Sequence, residues 1–483
     1  MLFNSLDFAV FLPLVFFAYW AIPGSRIRWQ NALLLAASYV FYGWWDWRFL
    51  ALLAGSSAVD YLVGRALGRT QDPGRRRVWL GLSLLVNLGV LFTFKYFGFF
   101  ADAFASAFTF LGYRPGGSTL SIVLPVGISF YTFQTLSYTI DVYRRTLPPA
   151  RDAVAFFAFV GFFPQLVAGP IERAGQLLPQ FGHRRVFSYA DGLLGVQLFC
   201  WGLFKKVVVA DSCGRIVDLV FADYSDYSGS TLLLGAVLFS FQIYGDFSGY
   251  SDMALGTARL FGFRLQTNFA YPYFARDIGE FWRRWHISLT RWFRDYLYIP
   301  LGGSRMGLRI TVRNVFVVFL VSGLWHGANW TFIVWGLIHF VLYLPLLLRG
   351  RNRRFLGPAA PGRWWPGPVD TIRMGLAFGA VTLAWVVFRS PTLGAAAAYL
   401  TRIFTTDPFA VPYVYGVGKV QAALCLLSVG ALLLTEWLGR EGDYPLLPVR
   451  SCRPRIAWAV CFLLAVAVLL LGQQEQAFIY FQF

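Results

Sequence analysis

Two histidines stand where a proton-transferring side chain could do chemistry. His326 lies in Ser322-Gly323-Leu324-Trp325-His326-Gly327-Ala328-Asn329-Trp330, inside a run, 314–348, that holds no Asp, Glu, Lys or Arg. Imidazole titrates near neutrality, so it can take a proton from a hydroxyl and return it to a leaving group. Polar groups within apolar runs are costly, and each is a functional hypothesis by default. As one helix the run would be about 52 Å long at 1.5 Å per residue, too long for a simple crossing. A break is therefore expected at this stretch, where Gly and Ala permit close backbone approach. Ser322, His326 and Asn329 can then line a wet cavity. A structural histidine bridging two helices accounts for His326 equally well from these residues alone.

His286 closes Ala275-Arg276-Asp277-Ile278-Gly279-Glu280-Phe281-Trp282-Arg283-Arg284-Trp285-His286. On a helix continued to Ile299, Ile278, Phe281, Trp282, Trp285, Leu289, Trp292, Phe293 and Tyr296 share an arc of about 120°. Arg276, Arg283, Arg284, Arg291 and Arg294 fall opposite, with Asp277, Glu280 and Asp295. The spacing predicts an amphipathic helix lying at the membrane interface, with His286 on the shoulder of its apolar arc. His339 reads as packing or an interhelical hydrogen bond, and His183, beside Arg184 and Arg185, as part of a solvated basic loop. Two further polar stripes point inward. Tyr131, Gln134, Tyr138 and Asp141 recur at helical spacing, and Ser240 to Asp252 carries Asp246, Tyr250 and Asp252. Asp246 and Asp252 are six apart, about 120° around a helix, so they form no chelating pair. Together the stripes favour a central polar cavity without saying whether it binds, transports or catalyses.

The elements that position these residues follow from composition. Of 483 residues, 57% are hydrophobic and 14% charged, against about 45–50% and 25% in soluble domains. So few charges cannot cover three soluble globules, and disorder needs the opposite balance. The charge is +18, from 42 basic and 24 acidic residues, and only Lys95, Lys205, Lys206 and Lys419 are lysines. These charges sit between apolar runs, so they read as membrane topology rather than as a nucleic-acid surface. Five cysteines with no CxxC pair indicate neither zinc nor a disulfide framework.

Apolar runs near 6–22, 30–45, 49–64, 78–100, 120–140, 153–170, 190–210, 231–263, 314–348, 371–388, 417–438 and 456–472 make about a dozen spans. Met1 to Phe8 carries Asp7 and no basic residue, whereas Arg26 and Arg28 follow the first run. That order argues for an outside N-terminus and a retained helix rather than a cleaved signal. The arginines of 65–77, 144–151, 349–363 and 440–455 then fall inside, and the charge-poor 101–119 and 391–416 outside, as the positive-inside rule expects. The 170–313 region alternates poorly, so re-entrant elements are expected there.

Phe281-Trp282-Arg283-Arg284-Trp285-His286-Ile287-Ser288-Leu289, followed by Arg294-Asp295-Tyr296-Leu297-Tyr298-Ile299-Pro300-Leu301-Gly302-Gly303, resembles the membrane-bound O-acyltransferase family. Ser322 to Trp330 is similar to that family's second histidine motif. Phe163 to Arg173, Asp246 to Asp252, Met1 to Ser5 and Phe478 to Phe483 are similar to its bacterial, alginate O-acetyltransferase-like branch. One departure is Ser304-Arg305-Met306, where that branch has Asn-Arg-Lys; it bears on the choice of substrate or partner. The resemblance implies an all-α polytopic membrane protein of 11–13 transmembrane or re-entrant helices around a central tunnel. It would be a single domain over 1–483, with N-terminal helices in 1–119, both histidine motifs in 120–348 and C-terminal helices in 349–483.

The resemblance also implies His326 as the catalytic residue and His286 as the second histidine, orienting the donor or stabilising the oxyanion. Candidates for lining the tunnel are Ser322, Asn329, Asp246, Tyr250, Gln134, Arg283 and Arg284. No bound cofactor or metal is implied. The donor would be acetyl-CoA or another acyl thioester such as an acylated carrier protein, and the acceptor an exported, alginate-like polysaccharide or a periplasmic acetyltransferase partner. The setting would be the lipid bilayer of the cell inner membrane. Two alternatives remain at this point: transfer of D-alanine or another acyl group, and a transporter or polysaccharide-export component without chemistry.

Overall fold

The computed structural model describes residues 1–110, 124–446, 454–472 and 478–479. The expected 101–119 segment, the 440–455 loop and the closing Phe478 to Phe483 motif therefore lie partly outside the described residues. Among the described residues the chain is helical without strands. Nine stretches of the described residues are long and apolar enough to cross a membrane: Ile27–Arg69, Pro73–Ala105, Tyr189–Ala222, Gly229–Leu260, Leu308–His326, Trp330–Leu348, Pro368–Arg389, Lys419–Gly439 and Pro454–Leu471. Leu6–Ala21 and Ala153–Leu166 are shorter apolar helices. The chain is a multi-pass membrane protein.

Two compact units form, one from 1–192 with 257–266 and one from 193–256 with 267–483. In the first, the helices Leu50–Arg69, Pro73–Leu91 and Ile128–Tyr143 are joined by a polar cage. The fully buried Asp60 accepts from Asn87 Nδ2 at 2.8 Å and Thr139 Oγ1 at 3.1 Å, while Ser56 Oγ donates to Asn87 Oδ1 at 2.9 Å. In an apolar medium such side chains must find partners within the bundle. The stripe on 128–143 is met in the same way. Gln134 Nε2 donates to the Phe159 carbonyl at 2.8 Å, and Tyr138 Oη accepts from the Ala150 N–H at 3.0 Å.

In the second unit the 314–348 run breaks where its small residues predict. The helix Leu308–His326 ends at Gly327, which is extended, and Asn329 starts Trp330–Leu348 as its N-cap, accepting from Thr331 N at 3.1 Å. The two helices pack against each other through Gly323 and Gly336. A Cβ on Gly323 would strike the Phe332 carbonyl oxygen, and one on Gly336 the Phe319 carbonyl oxygen. Backbone oxygens cannot move aside as a side chain can. Gly323→Val should therefore destabilise the hairpin by about 1–3 kcal/mol, the range for overpacking. A lower thermal midpoint of the detergent-purified protein is the expected readout, and an unchanged midpoint would refute close packing there.

The continuous interfacial helix expected over 275–299 does not form. Ile278–Arg284 and Ile287–Phe293 are separate helices, with Trp285 extended and His286 left-handed at φ 44° between them. Its aromatic arc also faces protein rather than lipid: Phe281 and Trp285 are each 1% exposed and Leu289 2%. A helical wheel locates an apolar arc, but lipid and a protein core satisfy that arc equally. The segment is a buried, broken element.

Candidate active site

The break at His286 has a local cause and a chemical result. Asn268 Oδ1 accepts from Ser288 N at 3.3 Å and lies 3.0 Å from both Ser288 Oγ and His286 Nδ1. The backbone N–H can only donate, which fixes this amide atom as oxygen. His286 Nδ1 must then carry the proton, so in the neutral ring Nε2 holds a lone pair. Asn268 Nδ2 is in turn 3.2 Å from Ser251 Oγ. His286 is 1% exposed, and Nε2 has no hydrogen-bond partner among the described residues. Burial lowers its pKa to about 3, so the ring is neutral at physiological pH and Nε2 can accept a hydrogen bond but not donate one. An oxyanion needs a donor, so the resting tautomer does not fit that part of the expected role.

His326 closes its helix at 3% exposure, ringed edge-on by Trp325, Trp335 and Phe388 at centroid distances of 5.1, 5.0 and 5.4 Å. Trp325 also meets His286, at 5.6 Å. The two imidazoles thus flank one indole, although they are 40 positions apart in sequence. Ser322, one turn before His326, is buried at 5% exposure. His339 is fully buried, with its Nδ1 3.3 Å from Trp282 Nε1, and it packs against Trp335 at 4.8 Å. These contacts agree with the expected packing and interhelical hydrogen bond. Among the described residues no group of three or more His, Cys, Asp or Glu could hold a metal ion.

Comparison with known proteins decides the family. Residues 149–358, which contain both histidines, match the membrane-bound O-acyltransferase family model. The probable alginate O-acetylase of Azotobacter vinelandii is 42% identical over 90% of this chain and 83% of its own length. The chain belongs to the membrane-bound O-acyltransferase family. It is therefore an acyltransferase. The peptidoglycan O-acetyltransferase of Helicobacter pylori is 36% identical over 92% of this chain and 84% of its own length. The teichoic acid D-alanyltransferase of Bacillus subtilis is 28% identical over 45% of this chain and 57% of its own length.

The remaining candidates of this acyltransferase divide. Asp246 and Tyr250 lie in the same unit as the histidines, on the helix whose Phe247 sits edge-on to His286 at 4.7 Å. Tyr250 packs on Phe478 at 5.1 Å, and Asp246 Oδ2 accepts from Ile479 N at 2.6 Å. Gln134 belongs to the first unit. Asn329 is a cap that also donates to the Pro391 carbonyl at 3.0 Å. Arg283 donates to the carbonyls of Asn352 and Phe355 at 2.6 and 2.7 Å; Arg284 pairs with Glu280 at 2.8 Å. For these three residues the structure supplies partners within the protein.

Sequence reasoning missed Asn268, Ser288 and a buried charge cluster. A wide π-type turn at Phe204–Ala210 carries Lys205 and Lys206. Lys206 Nζ is 2.7 Å from Asp211 and 2.8 Å from Asp246, and Lys205 Nζ is 2.6 Å from Asp252. The two aspartates of the polar stripe thus take separate, adjacent lysines. The signal was present: half of the chain's four lysines stand next to each other inside an apolar run, and intramembrane cations need named partners.

Proposed function

We propose that this enzyme transfers an acetyl group from a cytoplasmic thioester, such as acetyl-CoA, to a hydroxyl destined for an exported polysaccharide, working in the cell inner membrane. The carrying observation is the pair of buried imidazoles flanking Trp325, one of them with a free lone pair. The acetyl group is supported by the two O-acetylating relatives, 42% and 36% identical over 90% and 92% of this chain, whereas the D-alanylating relatives of Streptococcus thermophilus and Bacillus subtilis are 26% and 28% identical over 56% and 45% of it. His326 takes the hydroxyl proton as the oxygen attacks the thioester carbonyl. The C–S bond then breaks, and the imidazolium returns the proton to the leaving thiolate. His286 accepts a hydrogen bond at Nε2 and holds the hydroxyl or the thioester arm in place; its low basicity suits orientation better than proton abstraction. The immediate acceptor is the polysaccharide itself or a periplasmic acetyltransferase that passes the group on to it.

The test offers labelled acetyl-CoA and, separately, D-alanyl-charged carrier protein to the enzyme in proteoliposomes with glycan acceptor. Acetyl label should leave the thioester and reach acceptor material, while D-alanine should not. Preferential use of D-alanine, or passage of glycan without thioester consumption, would replace this reading with one of the two alternatives.

A further inference from the structure

Arginine is used in two opposite ways around the loop between Trp330–Leu348 and Pro368–Arg389. Four guanidiniums hold the loop from within. Arg283 binds the carbonyls of residues 352 and 355, and Arg276 and Arg284 each reach Gly357 O at 2.9 Å. Arg440 takes those of Ala359 at 2.9 Å, Ala360 at 2.8 Å and Arg363. Phe355 is stacked under Arg276 at 4.3 Å and Arg354 at 5.2 Å. A loop whose carbonyls are bound by one buried and three half-buried cations has little freedom left.

Five further arginines on the same loop make no such bonds. Arg349, Arg351, Arg353, Arg354 and Arg363 are exposed, and among the described residues their side chains form no hydrogen bond or ion pair. Beside them Trp364 and Trp365 are 77% and 81% exposed and Leu356 74%. Exposed guanidiniums on a held backbone, next to exposed indoles at the ends of two spanning helices, match the headgroup level of a bilayer. There phosphates meet cations and tryptophan sits half in water. Because the backbone is already held, binding a phosphate orders only side chains, which lowers its entropic cost.

We infer that the 349–365 loop is a binding site for anionic phospholipid headgroups. The phosphodiester is recognised by Arg351, Arg353 and Arg354, and Trp364 and Trp365 enter the acyl-chain boundary. The ligand is a bilayer lipid rather than a soluble phosphate, because the exposed indoles and Leu356 have no use for a ligand without an apolar part.

The purified enzyme would be reconstituted in nanodiscs of phosphatidylcholine alone or with phosphatidylglycerol or cardiolipin. Retained lipid is counted by native mass spectrometry, and the thermal midpoint is followed in parallel. The anionic lipids should be retained preferentially and raise the midpoint by several degrees, an effect that fades in high salt. The triple variant Arg351→Gln, Arg353→Gln, Arg354→Gln should lose most of the retention and the rise. The variant Arg75→Gln, Arg77→Gln, on another exposed basic segment, should keep both. Equal behaviour in phosphatidylcholine, full retention by the triple variant, equal loss in the control variant, or displacement of the lipid by free coenzyme A would each overturn the inference.

Discussion

His326→Ala is expected to lower acyl transfer by about two to four orders of magnitude, the contribution of a positioned acid–base group. The ring is enclosed by Trp325, Trp335 and Phe388, so truncation also leaves a void, and loss of activity alone would not separate chemistry from packing. His326→Gln separates them: it keeps polar bulk in the aromatic cage but cannot carry a proton in this pH range. Both variants should be inactive, and the glutamine form should retain a near-wild-type thermal midpoint. Transfer assays at saturating donor and acceptor place the loss in kcat rather than KM, because a base acts in the transition state. A glutamine variant with substantial turnover would remove His326 from the chemistry and pass the proton-transfer role to another group.

What could be read from the sequence depended on whether the deciding partner was local. The 314–348 run announced its own break, because a helix of that length cannot simply cross a bilayer and the glycines stand at the interruption. His326 came with it. The arc over 275–299 was equally visible, but its meaning was not: periodicity reports that a face is apolar, not what covers it. The left-handed turn at His286 depends on Asn268, which sequence pattern does not link to it. Arg283 and Arg284 read as part of the polar face of an interfacial helix. They instead hold a loop about 70 positions onward, a pairing set by the tertiary fold alone. Asp246 and Asp252 were correctly separated from each other, yet their lysines lie some 40 positions earlier, brought round by a turn wider than an α-helix.

That lysine pair is where a single atom's loss should matter most for folding. Lys206 Nζ stands between Asp211 and Asp246, with the three side chains 5%, 2% and 3% exposed. Solvent screening therefore does little for them. Removing the ammonium, as in Lys206→Met, takes the buried ion-pair partner from two carboxylates at once, and breaking a buried pair in this way costs about 3–5 kcal/mol. Asp246 also anchors the Ile479 N–H, so the strain reaches the segment packed on Tyr250, beside the helix turn that meets His286. The expected outcome is a large fall in the yield and thermal midpoint of monodisperse protein by fluorescence-detected size exclusion. Lys205→Met should be milder, because it strands one carboxylate, Asp252, whose side chain is 18% exposed. Neutralising the stranded acids should restore part of the loss. Lys206→Met combined with Asp211→Asn and Asp246→Asn removes all three charges together, and replacing a buried ion pair by neutral groups of similar volume is often tolerated. If the triple variant were as unstable as Lys206→Met alone, packing of the lysine stem rather than its charge would be what holds this turn.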